Sequence, residues 1–102
     1  MSHPSQLLDD RIHQRVRLGI LAVLSEAGRA DFTHLRSVLE LTDGNLSRHL
    51  AVLEKSGYVR VVKEYQGKRP RTWVASTRSG RAALAEHLAT LKKIIEQVGG
   101  SP

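Results

Sequence analysis

The chain contains no cysteine, which removes disulfides, thiolate metal sites and cysteine nucleophiles together and suits a reducing compartment. No apolar run approaches the roughly 18 residues that a membrane-spanning helix needs. Residues Met1 to Gln6 lack the basic-then-apolar layout of a secretory leader, so a cytoplasmic, nucleoid-associated location is expected. There is no internal repeat and no low-complexity tract. Acid is also scarce: ten Asp and Glu face sixteen Lys and Arg, a net charge of +6. That balance alone is weak evidence for an anionic partner, because the placement of the charges decides more than their sum.

What is present fits a single globular domain. At 102 residues, with 40% hydrophobic and 25% charged residues, the chain can bury one core and not two. The expected organisation is a flexible arm over residues 1–6, one domain over 7–98 and a flexible tail over 99–102. Leu8, Ile12, Val16, Ile20 and Leu24 recur at every fourth position, with Leu21 and Val23 widening the stripe. This predicts a first helix over Leu7–Ala27, stopped by Gly28. Asp9 and Asp10 then become first-turn carboxylates matched to the helix dipole; as an acid–base pair they would point apart.

Ala30-Asp31-Phe32 reads as a short extended link, and Thr33 as the cap of a brief second helix ending at Glu40. Leu46, Leu50 and Leu53 predict a third helix over Asp43–Ser56, ended by Gly57. The period then changes. Tyr58–Tyr65 and Arg71–Ser76 read as strands joined by a turn over Gln66–Pro70, and Thr77 caps a long last helix reaching Val98. The order predicts an α+β, mostly α fold: a winged helix-turn-helix with a three-helix core, a two-stranded β wing and a long C-terminal dimerisation helix.

Two regions carry the chemistry. With Leu46, Leu50 and Leu53 turned inward, the third helix presents Asn45, Arg48, His49 and Val52 outward and Ser47 on its flank. Arg can take a guanine edge, Asn an adenine edge and Ser either, so Asn45, Ser47 and Arg48 are the candidate base readers. Thr42, His49 and the side-chain-free Gly44 are candidates for approach to phosphate. Between Arg60 and Arg71 the hairpin carries five cations against the single acid Glu64. Lys63, Lys68, Arg69 and Arg71 are its candidate phosphate contacts, on a loop that Gly67 allows to turn tightly and Pro70 stiffens. A charged edge that merely discourages strand aggregation needs fewer cations.

Leu41-Thr-Asp-Gly-Asn-Leu-Ser-Arg-His-Leu50 and Leu53-Glu-Lys-Ser-Gly-Tyr-Val59 resemble the recognition helix and first wing strand of MarR- and ArsR-like winged-helix regulators. Val16–Leu21 is similar to their first-helix signature, and Gly67–Thr72 with Thr77–Leu84 to the wing and last helix of a compact, single-domain subgroup. The resemblance spans roughly Leu8 to Val98. It implies binding to a palindromic operator, with Asn45, Ser47 and Arg48 in the groove and Thr42, His49, Lys68, Arg69 and Arg71 on phosphates. Two departures stand out: Arg78 and Ser79 replace the proline and acid that many relatives have after the capping threonine, and the metal-sensing ligands of ArsR-type proteins are missing.

His3, His13, His34, His49 and His87 include no pair at helical zinc spacing, so no metal or cofactor is expected and His87 reads as a lone surface histidine. Leu84, Leu88, Leu91, Ile95 and Val98 recur at spacings of four and three along the last helix, a two-heptad seam suited to pairing with a second copy. The functional expectation is a sequence-specific regulator that binds double-stranded DNA as a homodimer on an inverted repeat. The alternative is a winged-helix module that binds protein or RNA. No nucleophile–base pair or phosphate loop supports an enzyme, and control by a small-molecule effector stays open.

Overall fold

A computed structural model describes residues 3–99 of the chain; residues 1, 2 and 100–102, within the expected arm and tail, lie outside the described residues. A 3-10 turn over Pro4–Leu7 is followed by α1 (Arg15–Ala27), β1 (Arg29–Asp31), α2 (Phe32–Val38), α3 (Asp43–Lys55), β2 (Val59–Gln66), β3 (Arg69–Ser76) and α4 (Arg78–Val98). The strands form one antiparallel sheet in the order β1-β3-β2. The architecture is the expected mostly helical winged-helix fold with a long last helix.

The helices form for local reasons. In α3 the Thr42 hydroxyl accepts the Asn45 amide at 3.1 Å, Asp43 occupies the first turn, and Leu46, Leu50 and Leu53 are buried at one-turn intervals. Gly57, at φ 79°, then ends the helix in a conformation that favours glycine. The turn between β2 and β3 is only two residues long, since Gln66 pairs with Arg69. Gly67 takes positive φ (64°) and Lys68 does not, the pattern of a type II′ hairpin. The strands are therefore longer than the sequence implied, and Pro70 lies inside β3 opposite Tyr65. It is tolerated there because β1 pairs only with residues 73–75 of β3, which leaves no ladder partner beyond Pro70 on that side.

Three expectations change. The single helix from Leu7 is broken, because Asp9 captures the Arg11 amide at 2.9 Å, a side-chain turn that competes with helix formation. Helix α1 begins only at Arg15, where the Gln14 side chain accepts the amides of Val16 and Arg17. Asp9 is thus an anchor for the N-terminal segment rather than a dipole-matching surface charge. It also accepts the Tyr58 hydroxyl at 2.7 Å, and Ile12 beside it is fully buried. Helix α2 is capped by Asp31, whose carboxylate accepts the His34 amide at 2.8 Å, two residues before Thr33. It ends before Glu40, which adopts φ 53°. Leu84 lies in the chain's own core, so α4 presents its apolar residues to the outside only from Leu88 onward.

The core joins α1 (Ile20, Leu21, Leu24), α3, Leu35 of α2, Val74 of β3 and Leu84 of α4. Each fully buried aliphatic side chain contributes about 1.5–3 kcal/mol. The start of α4 is held against the turn after α3. The Thr77 hydroxyl donates to the Gly57 carbonyl at 2.6 Å, the Thr77 amide donates to the Tyr58 carbonyl at 3.0 Å, and a Cβ on Gly80 would lie 2.0 Å from that same Tyr58 oxygen. Backbone touches backbone here, so Gly80 has no room for a side chain. No described helix is long and apolar enough to cross a membrane.

His87 is buried at 2% exposure, contrary to its reading as a surface residue. Its Nε2 meets Nδ1 of His13 at 3.3 Å, and its own Nδ1 has no partner among the described residues. Burial pushes its pKa down, as does the neighbouring His13, against a smaller upward pull from Asp9. A pKa held below 6.5 means that the unfolded chain binds the proton first as the pH falls. Stability is then full above about pH 6.5 and declines below it. Asp9 acts lower: burial raises its pKa, but hydrogen bonds from Arg11 and Tyr58 outweigh that and bring it to about 2. Urea denaturation from pH 7.5 to 5 should show falling stability, and His87→Gln should flatten part of the decline. A wild-type curve with no slope in that window would contradict the buried neutral imidazole.

Candidate nucleic-acid interface

The exposed start of α3 and the β2–β3 hairpin present the candidate residues. Thr42, Gly44, Asn45, Ser47 and Arg48 are all exposed. Arg48 donates through Nη2 to Oδ1 of Asn45 at 3.3 Å, so the two groups expected to read bases already share one orientation on the α3 surface. Ser47 faces a groove of about 430 Å³ between α3 and the hairpin, lined also by Phe32, Leu50, Val61 and Lys63. A Cβ on Gly44 would meet nothing within 4 Å; the fold itself places no demand on glycine there.

His49 and Val52 are half-buried instead of outward-facing. Burial pushes the His49 pKa down, and the guanidiniums of Arg48 and Arg17 add to the shift. Arg17 of α1 therefore adds a cation beside the α3 surface, one that the helical periodicity of α1 did not single out. Across the helix turn, Arg36 of α2 pairs with Asp43 of α3 at 2.5 Å, an exposed contact that fixes geometry more than it stabilises.

At the tip of the hairpin, Lys68 and Arg69 are exposed, as is Lys63 along β2, and none of the three has an ion-pair partner among the described residues. Arg71 stands apart from them. Its Nε and Nη2 both donate to Oδ2 of Asp31, at 3.0 and 2.8 Å, its Nη1 donates to Gln66 at 3.3 Å, and it lies 4.8 Å from the Trp73 ring centre. Arg29 lies 4.0 Å from the same ring and 3.8 Å from Glu64. Arg71 thus braces the hairpin, its donors already committed to protein acceptors.

Asp31 is the residue that sequence reasoning passed over. One carboxylate oxygen caps α2 and the other holds Arg71 of the wing. The His34 amide lowers its pKa most, and Arg71 lowers it further, against the opposing effect of burial. A D-F-T-x-L segment before a helical stripe is a usable capping signal, but Arg71 is 40 residues away and only the fold brings it in. Among the described residues no group of three or more potential metal ligands occurs.

Asp31→Asn should keep the α2 cap and lose the charge that holds Arg71, whereas Asp31→Ala should lose both. The cap contributes about 1 kcal/mol and the half-exposed ion pair about 0.5 kcal/mol after screening. Urea denaturation should therefore rank the chains wild type, Asp31→Asn, Asp31→Ala in falling stability. Equal losses in the two variants would remove the capping role.

Comparison with known proteins agrees with this geometry. A family model described as a winged helix DNA-binding domain matches residues 16–95. An uncharacterized protein of Methanocaldococcus jannaschii is 34% identical over 83 residues, covering 81% of this chain and 90% of that protein. The solved structure of a transcriptional regulator homologue from Pyrococcus horikoshii OT3 is similar with a TM-score of 0.81 and 38% identity, over 86% of this chain and 87% of that one. A Mycobacterium tuberculosis transcriptional regulator, solved in complex with DNA, shares the fold at 23% identity, with a TM-score of 0.69 over 90% of this chain and 65% of its own. The chain belongs to the winged helix DNA-binding domain family.

Proposed function

We propose that the protein is a sequence-specific transcriptional regulator that binds double-stranded DNA as a homodimer on an inverted-repeat operator. The observation that carries this reading is the pairing of an exposed, polar α3 start with a braced hairpin whose tip cations Lys68 and Arg69 have no protein carboxylate to neutralise them. In this reading Asn45, Ser47 and Arg48 meet base edges in the major groove. Thr42, His49, Lys63, Lys68 and Arg69 contact phosphate, and the absence of a side chain at Gly44 lets the backbone approach the duplex. Arg71 shapes the wing rather than touching DNA.

In this reading the second copy pairs through α4. Leu88, Ile95 and Val98 are 51%, 67% and 80% exposed, and with the half-buried Leu91 they continue one helical face. Pairing this face with its copy would set two α3 helices about 34 Å apart, in successive major grooves.

Duplex selection from a random library should return an inverted repeat. Arg48→Ala should weaken the preferred duplex roughly 5- to 150-fold and relax the preference at one position, the loss of one bidentate base contact. Lys68→Ala should weaken all duplexes alike and reduce the salt slope by about 1. Failure of the selection to enrich any sequence overturns specific recognition, and an unaltered preference in Arg48→Ala overturns the site assignment. For the dimer, Leu88→Glu with Ile95→Glu should convert a dimeric sedimentation profile to a monomeric one without changing the helical circular dichroism. A wild-type chain that sediments as a monomer at high concentration would refute the pairing.

A further inference from the structure

The root of the wing carries a second cluster of cations, far from its tip. Arg60 at the start of β2 with Arg78 and Arg81 in the first turns of α4 surrounds a hollow of about 200 Å³, floored by Ala75, Ser76 and Thr77. All three arginines are exposed, and none takes part in an ion pair among the described residues. Among the described residues, the one protein acceptor that any of them meets is the Ser76 carbonyl, which accepts from Nη1 of Arg81 at 3.1 Å.

This arrangement runs against local electrostatics. The N-terminal end of a helix is its positive end and favours carboxylates, yet α4 has no acid in its first turn and two arginines there instead. Thr77 uses its hydroxyl on the Gly80 amide and the Gly57 carbonyl, so it does not serve the amides of Arg78 and Ser79, which by their position in the first turn have no intrahelical acceptor. Three guanidiniums without a carboxylate among the described residues and two amides without an intrahelical acceptor converge at this hollow.

We propose that this hollow is an anion site for a phosphoryl group, held by Arg60, Arg78 and Arg81 with the first amides of α4. Guanidinium forks and helix-terminal amides are the donors that phosphate oxygens match. The volume lies below the range that takes drug-sized ligands, so the occupant is a phosphate monoester on a small carrier or a backbone phosphodiester. Arg60 is six residues along β2 from Gln66, about 20 Å at strand rise, which separates the site from the phosphate contacts proposed for Lys68 and Arg69.

Two arms test it on the full chain. In the first, inorganic phosphate is titrated without DNA at constant ionic strength, and amide shifts are followed by NMR. Saturable shifts are expected at Arg78 and Ser79; they should be lost in Arg60→Gln with Arg81→Gln and kept in Lys68→Gln. In the second, the salt dependence of binding is measured on short and extended duplexes. A backbone occupant predicts a slope lower by about 0.9 in Arg81→Gln on the extended duplex only; a small phosphate ester predicts an unchanged slope. Either positive result supports the site and identifies its source. No saturable shift at α4 together with unchanged slopes overturns it, as do phosphate shifts that the Arg60/Arg81 variant retains. The first arm contains no DNA, so its outcome is independent of the operator-binding reading. Unchanged thermal unfolding of these surface variants shows that the fold is intact.

Discussion

The Asp31 carboxylate ties together the two parts of the molecule that face the proposed duplex. Through one oxygen it ends the β1 strand and starts α2; through the other it takes the Arg71 guanidinium of β3. Without it, α2 would lack its N-terminal acceptor and the hairpin would lose the tie from Arg71 to the start of α2. Around this joint the cations are sorted. Arg29 and Arg71 lie over Trp73 and are countered by Glu64 and Asp31, whereas Lys68 and Arg69 extend beyond them with no acid in reach. The stiffness of the wing and the availability of its tip charges are therefore two results of one arrangement, in which acids are spent on the brace and withheld from the tip.

A comparable joint fixes the far end of the hairpin. The missing side chain of Gly80 allows the first turn of α4 to rest on the Tyr58 carbonyl, and Tyr58 in turn donates its hydroxyl to Asp9. The N-terminal segment, the turn after α3 and the last helix thus meet at one residue. Because the contact is backbone to backbone, it leaves little freedom in the angle of α4 relative to the α3–wing surface. Any pairing of two chains through α4 would transmit that fixed angle to the spacing of their α3 helices, which is the quantity an inverted repeat measures.

The elements that could be read in advance are those specified within a few residues of themselves. Helix α3 follows from a threonine cap, a four-residue leucine repeat and a terminal glycine; α4 follows from Thr77; and the hairpin follows from β-rich runs around Gly67. The elements misplaced are those decided by side chains competing for backbone amides or by partners distant in sequence. Asp9 breaks a stripe that is periodic from Leu8 to Leu24, because its bonds to Arg11 and Tyr58 outcompete helical geometry. Asp31 outcompetes Thr33 as the cap because it has Arg71 to hold. His87 sits at a polar-looking position of α4, and burial there becomes intelligible only once the N-terminal segment carrying His13 folds over it. Of the candidate site, the exposure of the α3 groups and of the tip cations was legible, whereas the bonds of Arg71 to Asp31 needed the fold.

The apolar stripe of α4 divides for a geometric reason. Positions 80, 84, 87 and 90 are buried, and Leu88 and Ile95 lie on the adjoining face. The first set is covered by the chain itself: Gly80 by the Tyr58 carbonyl, Leu84 by the core and His87 by His13 of the N-terminal segment. The chain's radius of gyration is 15.6 Å, against about 13 Å for a compact domain of this size, because the wing and the end of α4 both project. A projecting helix end with polar residues all round would need no partner. One that carries Leu88, Ile95 and Val98 into solvent leaves apolar area that the described residues do not cover, and each such side chain gains about 1.5–3 kcal/mol on full burial. Self-pairing satisfies that demand with the same surface on both sides, as a two-fold axis requires. The same axis would present the two wings to one duplex in opposite directions. In the proposed dimer, subunit contact and operator symmetry would thus be a single geometric condition, set by the face of α4 that begins at Leu88.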